Sequence, residues 1–322
     1  MPHSLRQVQN LEPTIEAFRD GVLHGLGKMP KTLPCKFFYD AEGSRLFDQI
    51  CNLPEYYPTR TETALLCEHA SDIAALAGPA VNLIEFGSGA GVKVRQLLAA
   101  LAGPAVYMPI DISREHLLAA ADSLAQDFPS LPISPVCADY TEPFALPHFP
   151  GTRFRCNVGF FPGSTIGNFT PDEAAAFLRR IARLLGRGAL MIVGVDLPKA
   201  PVILQAAYND AAGVTGAFNL NLLHRINREL DGDFNPAAFR HEARWNSMES
   251  RVEMHLVSRI QQTAHVSSHG FAFEAGESIH TENSYKYALD AFARLTRAAG
   301  YARIASWTGP DALFGLHVLE VL

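Results

Sequence analysis

Between Val81 and Val195 the sequence alternates short β-type runs with helical ones, and this alternation constrains the fold more than any other feature of the chain. Val81 to Phe86 reads as a buried strand, followed by Gly87-Ser88-Gly89-Ala90-Gly91 and a helical pattern through Leu97, Leu98 and Leu101. Ala105 to Ile110 is a second strand ending at Asp111, and Ser113 then opens a helix that reaches about Phe128. A third strand, Ile133 to Cys137, ends at Asp139-Tyr140, and a fourth, Asn157 to Phe161, runs into Pro162-Gly163-Ser164-Thr165-Ile166-Gly167-Asn168. Thr170-Pro171-Asp172-Glu173 is a capping box with proline at the first helical position, which predicts a helix from Pro171 to Leu185. Ala189 to Val195 is the fifth strand, closing at Asp196. Strands joined by helices make right-handed βαβ units and a parallel sheet, with ligands gathered outside the carboxyl ends of the strands. Asp111, Asp139, Gly163 to Asn168 and Asp196 all lie at such ends.

Beyond Lys199 the period changes. Helical stretches (202 to 212, 217 to 230) precede a long strand pair, His241 to Asn246 and Arg251 to Gln261, and then loop material rich in polar residues. A helix from Tyr287 to Ala299 stops at Gly300, and Tyr301 to Trp307 and Gly315 to Val321 form two terminal strands about a turn at Thr308 to Asp311. A βαβ core that finishes with a helix and an antiparallel strand pair fits the methyltransferase variant of the doubly wound sheet better than a dinucleotide dehydrogenase. The expected fold class is therefore α/β: a class I methyltransferase sheet, mostly parallel, with a second, smaller α+β domain for the substrate. Residues 62–198 and 286–322 are expected to form the core, and 1–61 and 199–285 the second domain, over the cofactor site. The length of 322 residues allows one large domain or two modest ones.

The glycine loop decides the cofactor. A nicotinamide dinucleotide loop needs G-x-G-x-x-G. Here Gly87, Gly89 and Gly91 are spaced two and two, with Val92 where the third glycine would fall. Preceded by Glu85, the run looks like the E-x-G-x-G-x-G loop of S-adenosylmethionine (SAM) methyltransferases. Asp111 is placed to accept hydrogen bonds from ribose hydroxyls, or else to cap the following helix. Asp139 suits the exocyclic amine of adenine and the ring of Tyr140 its face, the alternative being a strand-end turn.

Charge and motifs limit the acceptor. Thirty-three acids against 27 bases give a net charge of -6, unfavourable for a broad grip on nucleic acid or an anionic membrane. Neither an N-P-P-Y type tetrad nor a Pro-Cys nucleophile follows the fourth strand. No run approaches the roughly 18 apolar residues of a membrane span, and Met1 to Phe18 has no leader-like apolar stretch. The five cysteines are odd in number and form no C-x-x-C pair, so a reduced cytoplasmic setting is expected, and no metal is called for. His265 and His269 have i, i+4 spacing but flank Ser267-Ser268 in a strand or loop, which disfavours a metal site. Lys28, Lys31 and Lys36 read as a solvated face.

From about Phe37 to the carboxyl terminus the sequence resembles the SAM-dependent L-histidine Nα-methyltransferases of ergothioneine biosynthesis, which convert histidine to hercynine. The resemblance rests on Phe38-Tyr39-Asp40, the run Leu53-Pro54-Glu55-Tyr56-Tyr57-Pro58-Thr59-Arg60-Thr61-Glu62, the Gly163 to Asn168 loop and Tyr208-Asn209-Asp210-Ala211-Ala212-Gly213. It continues through Trp245-Asn246-Ser247, Arg251-Val252-Glu253-Met254 and Thr281-Glu282-Asn283-Ser284-Tyr285-Lys286. Each is weak alone; in this order they are specific.

The resemblance implies that Gly87, Lys93, Asp111, Asp139 and Tyr140 hold SAM, with Lys93 meeting its carboxylate. Tyr140 stands where the family often has phenylalanine, which keeps the ring. For histidine it implies Asn168 and Tyr208 at the α-carboxylate, Gly163 close to the amine, and Tyr39 near the polar end. Tyr56, Glu282 and Ser284 would contact the imidazole, and Met254 would line its pocket. Alignment of the substrate would fall to Asn168, Tyr39 and Gly163, with the proton acceptor open. An imidazole has a donor and an acceptor, so a carboxylate facing a hydroxyl can read both nitrogens. Without the family, Met254 reads as core filler, Glu282 as a solvated acid, Tyr56 as a half-buried aromatic and Lys93 as a helix-surface charge. The expected activity is trimethylation of the α-amino group of L-histidine, through its mono- and dimethyl forms, by a monomer. The alternatives are another amino acid as acceptor, or a non-catalytic SAM-binding relic.

Overall fold

The computed structural model describes residues 9–149, 151–309 and 311–322. Residues 1–8 of the stretch read for a leader, and Pro310 of the expected terminal turn, lie outside the described residues. The chain divides into two compact units.

The first unit comprises residues 9–12, 58–198 and 286–322. It is built on an eight-stranded sheet in the order Gln9–Leu11, Val136–Ala138, Val106–Asp111, Asn82–Phe86, Asn157–Phe161, Leu190–Asp196, Phe314–Val321 and Tyr301–Thr308. All neighbours pair parallel except the last two pairings, in which Phe314–Val321 runs antiparallel to both Leu190–Asp196 and Tyr301–Thr308. This is the doubly wound sheet with an antiparallel end that the β/α order predicted. Every residue of Asn82–Phe86 and of Leu190–Asp196 is buried, as expected of strands covered on both faces. The helix Pro171–Leu185 has the expected bounds, and Thr170 and Glu173 make both bonds of the capping box. Its buried face is Ala174, Phe177, Leu178, Ile181 and Leu185, the spacing of one helical stripe.

Two expectations change here. The third strand shrinks to Val136–Ala138, with Ile133 making only an isolated bridge to Tyr107, because Pro135 has no N–H to donate. The amino-terminal stretch, expected wholly in the second unit, is divided, since Gln9–Leu11 adds to the free edge of Val136–Ala138.

The second unit comprises Pro13–Tyr57 and Lys199–Tyr285. Its four-stranded sheet has the order Lys31–Thr32, Ser278–Tyr285, Arg251–Ser258, Phe239–Asn246, and a separate hairpin pairs Gln262–Val266 with His269–Phe273. The expected loop material after Gln261 is thus three strands. Their polar side chains hide the period-2 signal; pairing to each other in the hairpin, and of Ser278–Tyr285 to Arg251–Ser258, supplies what local propensity lacks. The helix expected through Ala212 stops at Ala207. The Asp210 carboxylate instead accepts from the Val214 and Thr215 amides, at 2.9 and 2.8 Å, and opens the helix Val214–Glu229. Lys31, expected on a solvated face, is buried in an ion pair with Glu277, its ammonium 4.8 Å from the Phe273 ring centre. His265 and His269 sit at the hairpin end, and His265 Nδ1 pairs with Asp233 at 2.9 Å. Among the described residues no helix is long and apolar enough to cross a membrane.

Candidate active site

In the first unit the expected donor-binding residues gather at the carboxyl ends of the parallel strands. Asn82–Phe86 runs into a turn in which Gly87, Gly89 and Gly91 all have positive φ (74°, 49° and 67°), a region that L side chains avoid. The Gly87 and Ser88 amides donate to the Ile110 carbonyl at 2.8 and 3.2 Å, tying the turn to the adjacent strand. A Cβ on Gly87 would stand 3.6 Å from the Tyr140 ring, and one on Gly89 would meet nothing within 4 Å. The loop is therefore a cradle open at Gly87 and Gly89 and walled by Tyr140, and closed at Gly91, where a Cβ would stand 2.9 Å from Leu124. That ring packs edge-on against Phe86 and Phe161 at centroid distances of 6.4 and 5.7 Å.

The two strand-end acids both engage backbone. Asp111 Oδ2 accepts from the Gly89 amide at 3.0 Å and Oδ1 from the Ser113 amide at 3.0 Å, so it fastens the glycine turn and also starts the next helix. Burial raises the Asp111 carboxyl above its ordinary value, opposed by these amides. Asp139, itself buried, accepts from the Thr141 amide at 2.8 Å and from its hydroxyl, closing a turn that turns the Tyr140 side chain toward Phe86. Burial also pushes Glu85 up to about 8, despite the hydrogen bond it accepts from the Tyr107 hydroxyl, so it is mostly neutral at pH 7.

Lys93 is not a helix-surface charge. Its ammonium lies 2.6 Å from Glu62, a carboxylate with no exposure, and the same Glu62 oxygen accepts from the Gly163 amide at 2.8 Å. Gly163 has φ of 79° and Ser164 one of 57°, and the Ser164 hydroxyl accepts from the Asp196 amide at 2.9 Å. The chain then makes a 3-10 turn, Thr165–Asn168, which leaves Asn168 half-buried at its end. Glu62 and Lys286 were given no role in the sequence reading, and Asp196, noted only as a strand-end acid, forms a fully buried pair with Lys286, 2.7 Å apart. Glu62 and Lys286 each close a run singled out there, which was the only signal.

In the second unit the expected acceptor-binding residues also cluster. The Tyr208 and Ser284 hydroxyls lie 2.6 Å apart, and the Tyr56 ring stands edge-on to Tyr208 at 6.1 Å. Burial pushes the Tyr56 phenol well above its usual value, and the charges of Tyr208, Tyr39 and Glu282 nearby act in the same direction. Tyr39 also packs edge-on to Phe47 and Phe218, at 5.7 and 5.8 Å. Met254 is 2% exposed and pairs in register with Glu282 on the neighbouring strand. Glu282 is half-buried on a strand rather than in a polar loop.

Behind Glu282 lies a group the sequence reading missed. Among the described residues Glu253, His255 and His280 have ligand atoms within 4.8 Å of one another. Hydrogen bonds account for the group. Glu253 accepts from Asn246, Arg251 and His255, at 2.9, 2.8 and 3.1 Å, and sits at about 2. Burial lowers His255 to about 4, so its ring is neutral, with Nδ1 beside the Ser278 hydroxyl at 3.2 Å. His280 Nε2 donates to the Glu282 carbonyl at 3.0 Å, across the register shift between those two residues. The network thus fixes the main chain from which Glu282 projects. Glu253 and His255 lie two apart on one strand, and only strand pairing brings His280 beside them.

Comparison with known proteins gives the family. The sequence model of one family, described as histidine-specific methyltransferase, SAM-dependent, matches residues 18–321. The chain is 42% identical to the histidine N-alpha-methyltransferase of Mycolicibacterium smegmatis, over 99% of both chains. It is 32% identical to ergothioneine biosynthesis protein 1 of Neurospora crassa over 90% of its own length, which spans 33% of that protein. It is 30% identical to the 4-dimethylallyltryptophan N-methyltransferase easF of Aspergillus fumigatus, over 94% of this chain and 93% of that one. The chain belongs to the family of histidine-specific, SAM-dependent methyltransferases.

Proposed function

We propose that this protein transfers methyl groups from SAM to the α-amino group of L-histidine, three times in succession, giving hercynine as a step of ergothioneine biosynthesis. The observation that carries the reading is the 42% identity to a histidine N-alpha-methyltransferase along 99% of both chains. SAM supplies a methyl group already activated on a sulfonium, so a neutral amine can displace it without further activation.

The cradle fits such a donor. Its open, positive-φ glycines allow close main-chain approach, Tyr140 supplies a flat wall, and Lys93 supplies a cation for a carboxylate. In this reading Gly87, Lys93, Asp111, Asp139 and Tyr140 hold the donor, with Asp111 and Asp139 keeping lone pairs for ribose and adenine. Gly163 and Asn168 serve the acceptor's polar end.

The second unit is taken as the amino-acid domain. Tyr56, Glu282 and Ser284 read the imidazole, Met254 lines its pocket, and Tyr208 and Tyr39 serve the α-carboxylate end. The support is chemical: a carboxylate and a hydroxyl on one strand match the donor and acceptor of the ring. The chain's residues bind, orient and exclude water, and rate then comes from alignment. The reading confines partners to small molecules, given the net charge of -6, and takes the protein as a cytoplasmic monomer.

The test is a mass-spectrometric time course of purified protein with SAM and a panel of free amino acids. Histidine is expected to pass through mono- and dimethyl forms to the trimethyl product. Preference for another amino acid would keep the methyltransferase and discard the imidazole pocket; SAM binding without any turnover would leave a binding relic.

A further inference from the structure

We propose that Glu62 is a positioning residue for the donor half of the site, holding the Lys93 ammonium and the Gly163 main chain in one arrangement before substrate arrives. The proposal rests on the reading that Lys93 meets the donor's carboxylate, and it assigns a role to a residue outside that set.

Glu62 projects from the helix Tyr57–Ala77 and has no solvent exposure. A carboxylate so placed is costly unless it is paired and hydrogen-bonded. One of its oxygens, Oε2, takes both partners: Lys93 Nζ at 2.6 Å and the Gly163 amide at 2.8 Å. The other, Oε1, is buried with no hydrogen-bond partner among the described residues. It occupies the space beside Gly194, where a Cβ would run into it. Room for this carboxylate is therefore built into the strand Leu190–Asp196 by the absence of a side chain.

The two partners come from different loops. Lys93 follows the strand Asn82–Phe86 and Gly163 follows Asn157–Phe161, and these strands are neighbours where the strand order reverses, the place where open α/β sheets bind ligands. Lys93 Nζ stands 3.4 Å from where a Cβ on Gly163 would be, so a single carboxylate oxygen sets the spacing between the loops. A lysine side chain carries large rotamer entropy, most of it surrendered when the ammonium is fixed. Glu62 fixes it in advance, while the Lys93 side chain stays 16% exposed and so open to a second carboxylate. A role limited to packing the helix on the sheet would not depend on Lys93.

A binding cycle separates the two roles. Affinity for S-adenosylhomocysteine is measured by titration calorimetry on the full chain as wild type, Glu62→Gln, Lys93→Met and the double variant. Positioning through Lys93 predicts at least a tenfold loss for Glu62→Gln, and less than a threefold further loss when it is added to Lys93→Met. Glu62→Asp keeps the charge but is one methylene shorter, cannot reach both partners, and is expected to lose at least tenfold as well. It also carries the test if Glu62→Gln does not fold. Affinities within threefold of wild type, tighter binding through an unpaired Lys93, or equal losses in both backgrounds overturn the proposal. Wild-type protein that binds no S-adenosylhomocysteine overturns the donor assignment and the proposal with it. Binding without histidine methylation overturns the acceptor reading alone, and the cycle still decides Glu62.

Discussion

Replacing Glu282 by alanine tests the imidazole pocket at its charged member. The strand holding it is anchored independently of its side chain, by the His280 Nε2 bond to its carbonyl at 3.0 Å and by register pairing with Met254. Truncation should therefore remove one interaction and leave the main chain where it is. A hydrogen bond to a charged group contributes about 1.5 to 3 kcal/mol, and its loss leaves a ring nitrogen unsatisfied. At about 1.4 kcal/mol per decade this corresponds to roughly a tenfold to hundredfold fall in kcat/KM for histidine. Glu282→Gln keeps an acceptor without the charge and should fall between wild type and Glu282→Ala. The assay is initial-rate kinetics with histidine varied at saturating SAM, with S-adenosylhomocysteine affinity measured in parallel. That affinity should stay within about twofold, since Glu282 belongs to the acceptor set. A Glu282→Ala enzyme with histidine kcat/KM within threefold of wild type would refute the reasoning, as would an equal loss of cofactor affinity.

Three further outcomes concern the scaffold. Lys286→Met strands the fully buried Asp196 carboxylate and should destabilise the protein by about 3 to 5 kcal/mol, whereas replacing both partners by apolar residues should cost less than the sum of the single changes; chemical denaturation of the three variants checks this. Gly194→Ala puts a methyl group against Glu62 Oε1 and 2.9 Å from the Phe314 ring, so the melting temperature and S-adenosylhomocysteine affinity should both fall. His317 is fully buried and lowered to about 4 by burial, with Arg303 acting the same way, Ser306 on Nδ1 and, among the described residues, no partner on Nε2. The unfolded state then binds a proton that the folded state refuses, so stability should fall as pH drops from about 6.5 to about 4, at up to about 1.4 kcal/mol per unit for this group. His317→Leu should make that fall shallower; an unchanged pH slope in denaturant titrations would remove His317 as its source.

Local signals carried much of the fold. The helix Pro171–Leu185 was legible to the residue, because its capping box, first-turn proline and apolar stripe are all written within one segment. Asn157–Phe161 was equally plain, and the β/α alternation with its antiparallel ending led to the mostly parallel sheet that is observed. The site was legible as motifs: the glycine turn, the strand-end acids and the runs containing Tyr56, Tyr208 and Glu282.

What the sequence could not supply were relations between distant residues. Ser278–Tyr285 looked like polar loop, since its pairing is made by main-chain bonds to Arg251–Ser258 and Lys31–Thr32, and the hairpin before it was hidden by its polar side chains. Gln9–Leu11 gave no sign of joining the large sheet, because three residues at an edge have no periodicity of their own. Lys31 read as a solvated charge, and Lys93 apart from the resemblance as a helix-surface one, until Glu277 and Glu62 were brought against them. Asp111 held two readings, ligand and helix start, and the structure gives its carboxylate to the Gly89 and Ser113 amides. The sequence by itself determined the βαβ order, the glycine turn and the chemical types available, because these are fixed within short segments by sterics, caps and period. Only the tertiary structure decided which charges are buried and which are paired, because desolvation and Coulomb energy depend on neighbours that chain order does not specify.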